Sequence, residues 1–310
     1  MSTLVNGLHH VTAIAGDTQR NVDFYRDVLG LRLLKKTVNF DAPDVYHLYY
    51  GDETGSPGSI YTSFPYGNLP RGRKGAGQLT YTAFSVPVAG MSFWLDRLHQ
   101  FHIAHAKPTN RFDEVYIRFE DYDGMGIELV FTDADTRPGY SNGQIALENA
   151  IRGFHTVTLE ELKPERTIEL LTGVMQHRLV AEEADLFRYE AGAGGSGRYV
   201  DIQVSANSVR ALQGAGSVHH VAFSTDNDDT QLIIQGQLAE AGYSVTPVQD
   251  RNYFHSIYFR EPGGILFEIA TNPPGFAIDE APESLGTLLK LPPQYEARRA
   301  QLEKVLPVII

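Results

Sequence analysis

The strongest constraint on this chain is that it repeats itself. Gly7-Leu8-His9-His10-Val11-Thr12 returns two hundred residues later as Ser217-Val218-His219-His220-Val221-Ala222. Such self-similarity restricts the fold to copies of one supersecondary unit. Two weaker copies align with these. Gln78-Leu79-Thr80-Tyr81-Thr82-Ala83-Phe84-Ser85 follows the register of the 217–224 segment, and Gly153-Phe154-His155-Thr156-Val157-Thr158 that of the 7–12 segment. The spacing from Tyr81 to Glu128 is 47 residues and that from His220 to Glu268 is 48, so the later parts of the units agree as well.

Each unit reads as a strand, a helix and three further strands. In the first, the helix pattern lies over Asn21 to Leu29 with Gly30 as its cap, followed by strands at Val45 to Tyr50 and Ile60 to Phe64. The units run near 7–65, 78–131, 152–204 and 217–271. The expected fold is α+β, with four βαβββ modules forming two open, cup-shaped sheets flanked by helices. In chain order this gives an N-terminal domain over 1–135, a C-terminal domain over 150–272 and a tail over 273–310. The stretch 132–151 reads as the linker, and Ala191 to Gly197 as a hairpin loop. Gln294 to Leu306 has the pattern of a charged amphipathic helix.

Composition narrows the chemistry. There is no cysteine, so any metal must be held by His and carboxylate. The net charge of −12 disfavours nucleic acid and anionic membranes as partners. The start of the chain lacks a signal-peptide pattern, and no apolar run approaches the ~18 residues of a membrane span. A cytoplasmic protein is expected. Its acidic, duplicated fold is compatible with a homo-oligomer.

Strand alternation places His10 and Thr12 on one face, with His220 and Ala222 on the equivalent face of the fourth unit. Glu268 lies in the apolar run Ile265 to Ala270, where an unpaired carboxylate is costly and calls for a cation. Two neutral imidazoles and one carboxylate make the facial triad of non-haem iron(II) oxygenases, which leaves positions open for substrate and dioxygen. Aligning Pro57 to Ser63 with Pro262 to Glu268 puts Ser63 where a fourth, carboxylate ligand would stand. The second and third units offer Tyr81, Thr156 and Glu128 at the equivalent places, so one metal site per chain is expected, with Glu128 either a buried hydrogen-bonded carboxylate or the partner of Arg118. His155 is the rival ligand, but the ungapped register sets it opposite His9. His47, His99, His102, His105, His177 and His255 read as packed or surface residues.

These motifs, together with Arg260-Glu-Pro-Gly-Gly-Ile-Leu-Phe-Glu-Ile-Ala270, resemble the vicinal-oxygen-chelate superfamily and its ring-cleaving dioxygenases. More narrowly, Thr37-Val-Asn-Phe40, Tyr46-His-Leu-Tyr49 and Asp250-Arg-Asn-Tyr-Phe254 resemble the hydroquinone-type branch. The resemblance implies Fe(II) held by His10, His220 and Glu268, with Mn(II) or another divalent ion able to take the site in a purified sample. It implies that the first and fourth units form one cup. It also implies that Thr12 and His219 orient ligands or substrate, and that Tyr258 and Arg251 stabilise a bound phenolate, with Tyr258 or His219 moving a proton. The expected activity is extradiol-type cleavage of a dihydroxylated aromatic by O2; Phe254, Phe259 and Phe276 are candidates for the pocket wall, with plain core the favoured reading. A glyoxalase-type isomerase or lyase, and a metal-free small-molecule binding protein, are the rival readings.

Overall fold

The computed structural model describes residues 3–310. Its sixteen strands fall into four modules. The first holds β1 (Gly7–Ala15), β2 (Arg32–Val38), β3 (Tyr46–Gly51) and β4 (Ile60–Pro65). The second holds β5 (Gln78–Val86), β6 (Thr109–Arg111), β7 (Glu114–Glu120) and β8 (Gly126–Phe131). The third holds β9 (Gly153–Glu161), β10 (Arg178–Glu183), β11 (Leu186–Glu190) and β12 (Tyr199–Val204). The fourth holds β13 (Ser217–Thr225), β14 (Gln249–Asp250), β15 (Phe254–Arg260) and β16 (Leu266–Pro274).

A helix follows the first strand of every module: α1 (Thr18–Val22), α2 (Met91–Gln100), α3 (Glu165–Thr172) and α4 (Asp228–Glu240). Asp17 caps α1 by accepting from Arg20 N, and Asn227 starts α4 with a reciprocal capping box to Thr230. The helix expected over Asn21 to Leu29 is shorter as an α-helix. It passes into a π-helical turn over Asp23–Val28, which buries Phe24, Tyr25 and Val28 together.

The two eight-stranded sheets have the orders β14-β15-β16-β13-β1-β4-β3-β2 and β10-β11-β12-β9-β5-β8-β7-β6. The first sheet therefore joins modules one and four, and the second joins two and three. The halves 1–135 and 150–272 follow chain order, and each gives one module to each sheet. Within each sheet two modules meet through antiparallel first strands, β1 with β13 and β5 with β9. Each first strand also runs parallel to the last strand of its own module. This is the α+β vicinal-oxygen-chelate architecture, two curled open sheets with few helices.

One apolar core runs through both sheets, uniting Val11 and Val221 of the first with Phe84, Phe154 and Val157 of the second. Removing about 25 cal/mol of stabilisation per Å² of apolar surface exposed, this shared core resists separation of the sheets. A smaller cluster of Leu34, Tyr49, Ile60, Tyr253, Phe254, Phe276 and Leu285 seals the first sheet against the tail. The tail is pinned there by Lys35, which is fully buried and bonds Asp279 Oδ1 and Glu280 Oε2, both at 2.6 Å. The helix expected from Gln294 begins as a 3-10 turn over Pro293–Arg298 and continues as α5 (Arg299–Val305), with Leu302 and Leu306 buried. Segment 132–151 is packed as well as connecting, since Ile145 and Ala150 are buried. The 191–197 loop joins the antiparallel pair β11 and β12.

Candidate metal centre

The pairing of β1 with β13 sets His10 opposite Ala222 and Thr12 opposite His220, so both imidazoles enter the same cup. Parallel pairing of β13 with β16 sets Glu268 beside Ala222. The three side chains converge as triad candidates: His10 Nε2 lies 3.1 Å from His220 Nε2 and 3.3 Å from Glu268 Oε2, and His220 Nε2 lies 3.0 Å from Oε2. All three residues are buried.

Two bulges shape the surroundings. Pairing slips between Leu8 and His10 on β1, and between the partners of Thr12 and Ala13 on β13, making His9 and His219 the extra residues. A bulge re-aims its side chain. Alternation assigns His9 to the opposite face from His10, yet His9 Nδ1 reaches His10 Nδ1 at 2.9 Å, just as His219 Nδ1 reaches His220 Nδ1 at 2.8 Å. Each triad imidazole thus has its Nδ1 engaged, and with that nitrogen donating to the neighbouring histidine its Nε2 carries the bare lone pair a cation needs. The sequence reading included His219 and missed His9; the duplicated His-His pair was the signal available for it.

Burial lowers the pKa of His9 and of His219 to about 3, with the neighbouring imidazoles acting in the same direction. Burial also lowers the pKa of His220, against the pull of Glu268. For Glu268 burial pushes upward, but His10 and His220 outweigh it and hold the carboxyl well below its usual range. Glu268 Oε1 accepts from Ser256 Oγ at 2.5 Å, whereas the buried Oε2 has no hydrogen-bond partner.

Three lone-pair-bearing atoms facing one another at this range repel unless a cation joins them. Donors 90° apart on an ion with bonds of about 2.2 Å lie about 3.1 Å from each other, the spacing found here. The donor set therefore fits a divalent ion, and its two neutral imidazoles and one carboxylate leave a net +1 on the loaded centre.

The position equivalent to Glu268 in the first module is corrected by the sheet register. Glu268 pairs with the residue two beyond His220, and the residue two beyond His10, Thr12, pairs with Thr62. Thr62 therefore takes the slot assigned to Ser63, which is one residue further along and bonds Asn21 Oδ1 at 2.6 Å. The slot still lacks a carboxylate. Thr62 Oγ1 donates to Thr12 Oγ1 at 2.8 Å and lies 2.9 Å from His47 Nε2, and Tyr49 OH lies 2.9 Å from His47 Nδ1.

A cavity of about 340 Å³ opens beside the triad, lined by His10, His220, His219, Tyr258, Arg251 and Phe254 among others. Arg251 Nε donates to Tyr258 OH at 3.1 Å, and the guanidinium lies over Phe40. Burial pushes the Tyr258 phenol up, and Glu268 adds to the effect, so it keeps its proton. His47 and Tyr49 also line this cavity, which corrects the reading of His47 as a packed residue without a place at the site. The three phenylalanines read as core before wall are all buried in apolar clusters, and Phe254 also lines the cavity. Phe259 packs on Phe267 in the main core, and Phe276 stacks on Tyr253 behind the wall.

The second sheet shows the same positions put to a different use. Thr156, Tyr81 and Glu128 stand where His10, His220 and Glu268 stand, and Asp201 stands at the place of Thr62. Glu128 is bound by Arg118 at 2.6 Å, as expected, and also by Arg111 at 2.8 Å. Arg188 holds Asp201 at 2.7 Å and Glu114 at 2.6 Å, and His155 bonds Glu114 at 3.0 Å. Guanidinium groups supply the positive charge in this cup. His10, His220 and Glu268 are the one cluster of potential metal ligands among the described residues.

The remaining histidines lie elsewhere; His255, for example, pairs with Asp228 at 2.6 Å. No helix among the described residues is long and apolar enough to cross a membrane.

Known proteins resemble this chain along its whole length. The chain is 45% identical over 306 residues to "Putative ring-cleaving dioxygenase MhqO" of Bacillus subtilis, covering 99% of this chain and 97% of that one. It is 35% identical over 316 residues to the chlorohydroquinone/hydroquinone 1,2-dioxygenase of Sphingobium indicum, covering 99% and 98%. A crystal structure described as a "putative dioxygenase from Bacillus subtilis" superposes with a TM-score of 0.95 at 45% identity, covering 99% of this chain and 98% of that one. The family model for the glyoxalase/bleomycin resistance protein/dioxygenase superfamily matches residues 7–129 and 138–269, the two stretches that carry the four modules. With module architecture, cup and full-length relatives in agreement, the chain belongs to the glyoxalase/bleomycin resistance protein/dioxygenase superfamily.

Proposed function

We propose that this protein is a cytoplasmic, Fe(II)-dependent, extradiol-type dioxygenase that opens the ring of a hydroquinone- or catechol-type aromatic. His10, His220 and Glu268 are its metal ligands. The observation that carries the reading is the triangle of donor atoms at 3.0 to 3.3 Å beside a cavity, with Thr62 in place of a fourth ligand. Bound there, Fe(II) would lower the pKa of a substrate hydroxyl and pass electron density to O2.

The chain's own residues do the rest. Arg251 compensates negative charge on the substrate oxygen, and Tyr258, relieved of donating to Arg251, offers its proton to that oxygen or to the oxygen atoms being added. His219 holds His220 in orientation by accepting from its Nδ1–H, which leaves the His219 proton on Nε2, an N–H donor at the cavity wall. Thr12 ties β1 to Thr62 and His47. Phe254 and the aromatic residues around it exclude water. Both atoms of O2 enter the product as one ring C–C bond breaks.

Anaerobic loading with Fe(II), followed by oxygen-electrode assays with hydroquinones and catechols, tests the reading. One O2 consumed per ring opened is expected, and Glu268→Ala should lose both iron retention and turnover. Iron-loaded protein that takes up no O2 with either class would overturn it, as would Glu268→Ala binding the aromatic and iron as well as the wild type.

A further inference from the structure

The cup has two phenols related by its internal repeat. Tyr258 lies across the β15–β16 pair from Glu268, and Tyr49 lies across the β3–β4 pair from Thr62. Since Glu268 and Thr62 occupy equivalent positions, Tyr49 and Tyr258 flank the centre as counterparts, and both line the cavity.

Their hydroxyls are wired with opposite polarity. Tyr258 OH accepts from Arg251 Nε, so its own proton remains to be given. For Tyr49 the direction follows from a chain of single protons. Thr62 spends its hydroxyl proton on Thr12, so it must accept from His47, which makes Nε2 the protonated nitrogen. His47 Nδ1 then carries a lone pair and takes the Tyr49 proton. Only the lone pairs of Tyr49 are left for a ligand.

We propose that Tyr49 is a specificity-determining acceptor that reads a second, still protonated hydroxyl on the aromatic ring, with His47 as the positioning residue that fixes its polarity. The proposal rests on the ring-cleaving reading above and deepens it. One substrate oxygen goes to the His10–His220–Glu268 centre beside the donors Arg251 and Tyr258, and the other goes to Tyr49. A para-dihydroxylated ring meets both demands. A catechol, with both oxygens adjacent at the centre, leaves Tyr49 unpaired.

Equilibrium binding to the iron-loaded protein under anaerobic conditions tests this with hydroquinone, phenol and 4-methoxyphenol. The wild type is expected to bind hydroquinone about tenfold more tightly than phenol, the worth of one added hydrogen bond. In Tyr49→Phe that ratio falls to about one through weaker hydroquinone binding, with phenol affinity unchanged. His47→Phe keeps Tyr49 but releases its proton, so 4-methoxyphenol, whose methoxy oxygen can only accept, gains relative to phenol. That gain is not expected from a purely structural role. A hydroquinone-to-phenol ratio unchanged in a folded Tyr49→Phe protein overturns the proposal alone. A wild type that binds none of the three overturns it together with the ring-cleaving reading.

Discussion

Thr62 holds, in the first module, the place that Glu268 holds in the fourth. One sheet with two equivalent edges toward the centre thus supplies a carboxylate from one side and a hydroxyl from the other. The difference decides how many coordination positions stay open.

Thr62→Glu is therefore expected to convert a three-ligand site into a four-ligand one. Fe(II) binding should tighten, and oxygen uptake with any aromatic should fall at least tenfold as an open position is filled. Metal titration and an oxygen electrode read the two effects separately. Loss of metal binding on this substitution would contradict the assignment.

His9→Gln and His219→Gln remove the imidazoles that engage Nδ1 of the two proposed ligands. Each should weaken metal affinity by about 10–100-fold while leaving the melting temperature of the metal-free protein nearly unchanged. Competition against a metal indicator measures the first, and thermal unfolding the second.

Glu128→Ala leaves Arg111 and Arg118 without their shared carboxylate in the interior of the second sheet. A loss of about 3–5 kcal/mol in denaturant unfolding is expected, with one metal per chain retained. Glu268→Gln should show the reverse pattern, with metal lost and stability held.

Glu161 carries a pH-dependent contribution to stability. Burial and the nearby Glu261 carboxylate raise its pKa from 4.5 to about 8, against the pull of Arg210. Glu261 accepts from Thr167, Gly263 and Ile265. Below pH 4.5 Glu161 is protonated in both folded and unfolded chains and the shift costs nothing. Between 4.5 and 8 the unfolded chain releases a proton that the folded one keeps, so stability declines as pH rises and levels off above 8. Melting temperatures of Glu161→Gln across that range should lack this part of the slope.

Much of this was legible because the chain repeats. Aligning its copies was enough to predict the module order and a shared strand face for His10 and His220, while the union of the first and fourth units in one cup came from the family resemblance. The apolar run around Glu268 predicted a carboxylate aimed inward. The gaps in the reading have physical causes. Alternation assumes a regular strand, so the bulges that bring His9 and His219 round to the proposed ligands were invisible to it. The same one-residue sensitivity put Ser63 where Thr62 stands, because loops of unequal length before β4 and β16 shift an ungapped alignment. Tyr49 and His47 lie in Tyr46 to Tyr49, a stretch that carried the family resemblance but no role for either residue. Their part in the cavity depends on which strand lies beside β4, and that is settled by pairing across the sheet.

The union of the first and last modules in one sheet has a consequence for biosynthesis. His10 leaves the ribosome hundreds of residues before Glu268, with the two modules of the other sheet between them. No early fragment of the nascent polypeptide carries the full set of donors. A metal ion at the proposed centre can thus meet all three donors only in a nearly finished molecule.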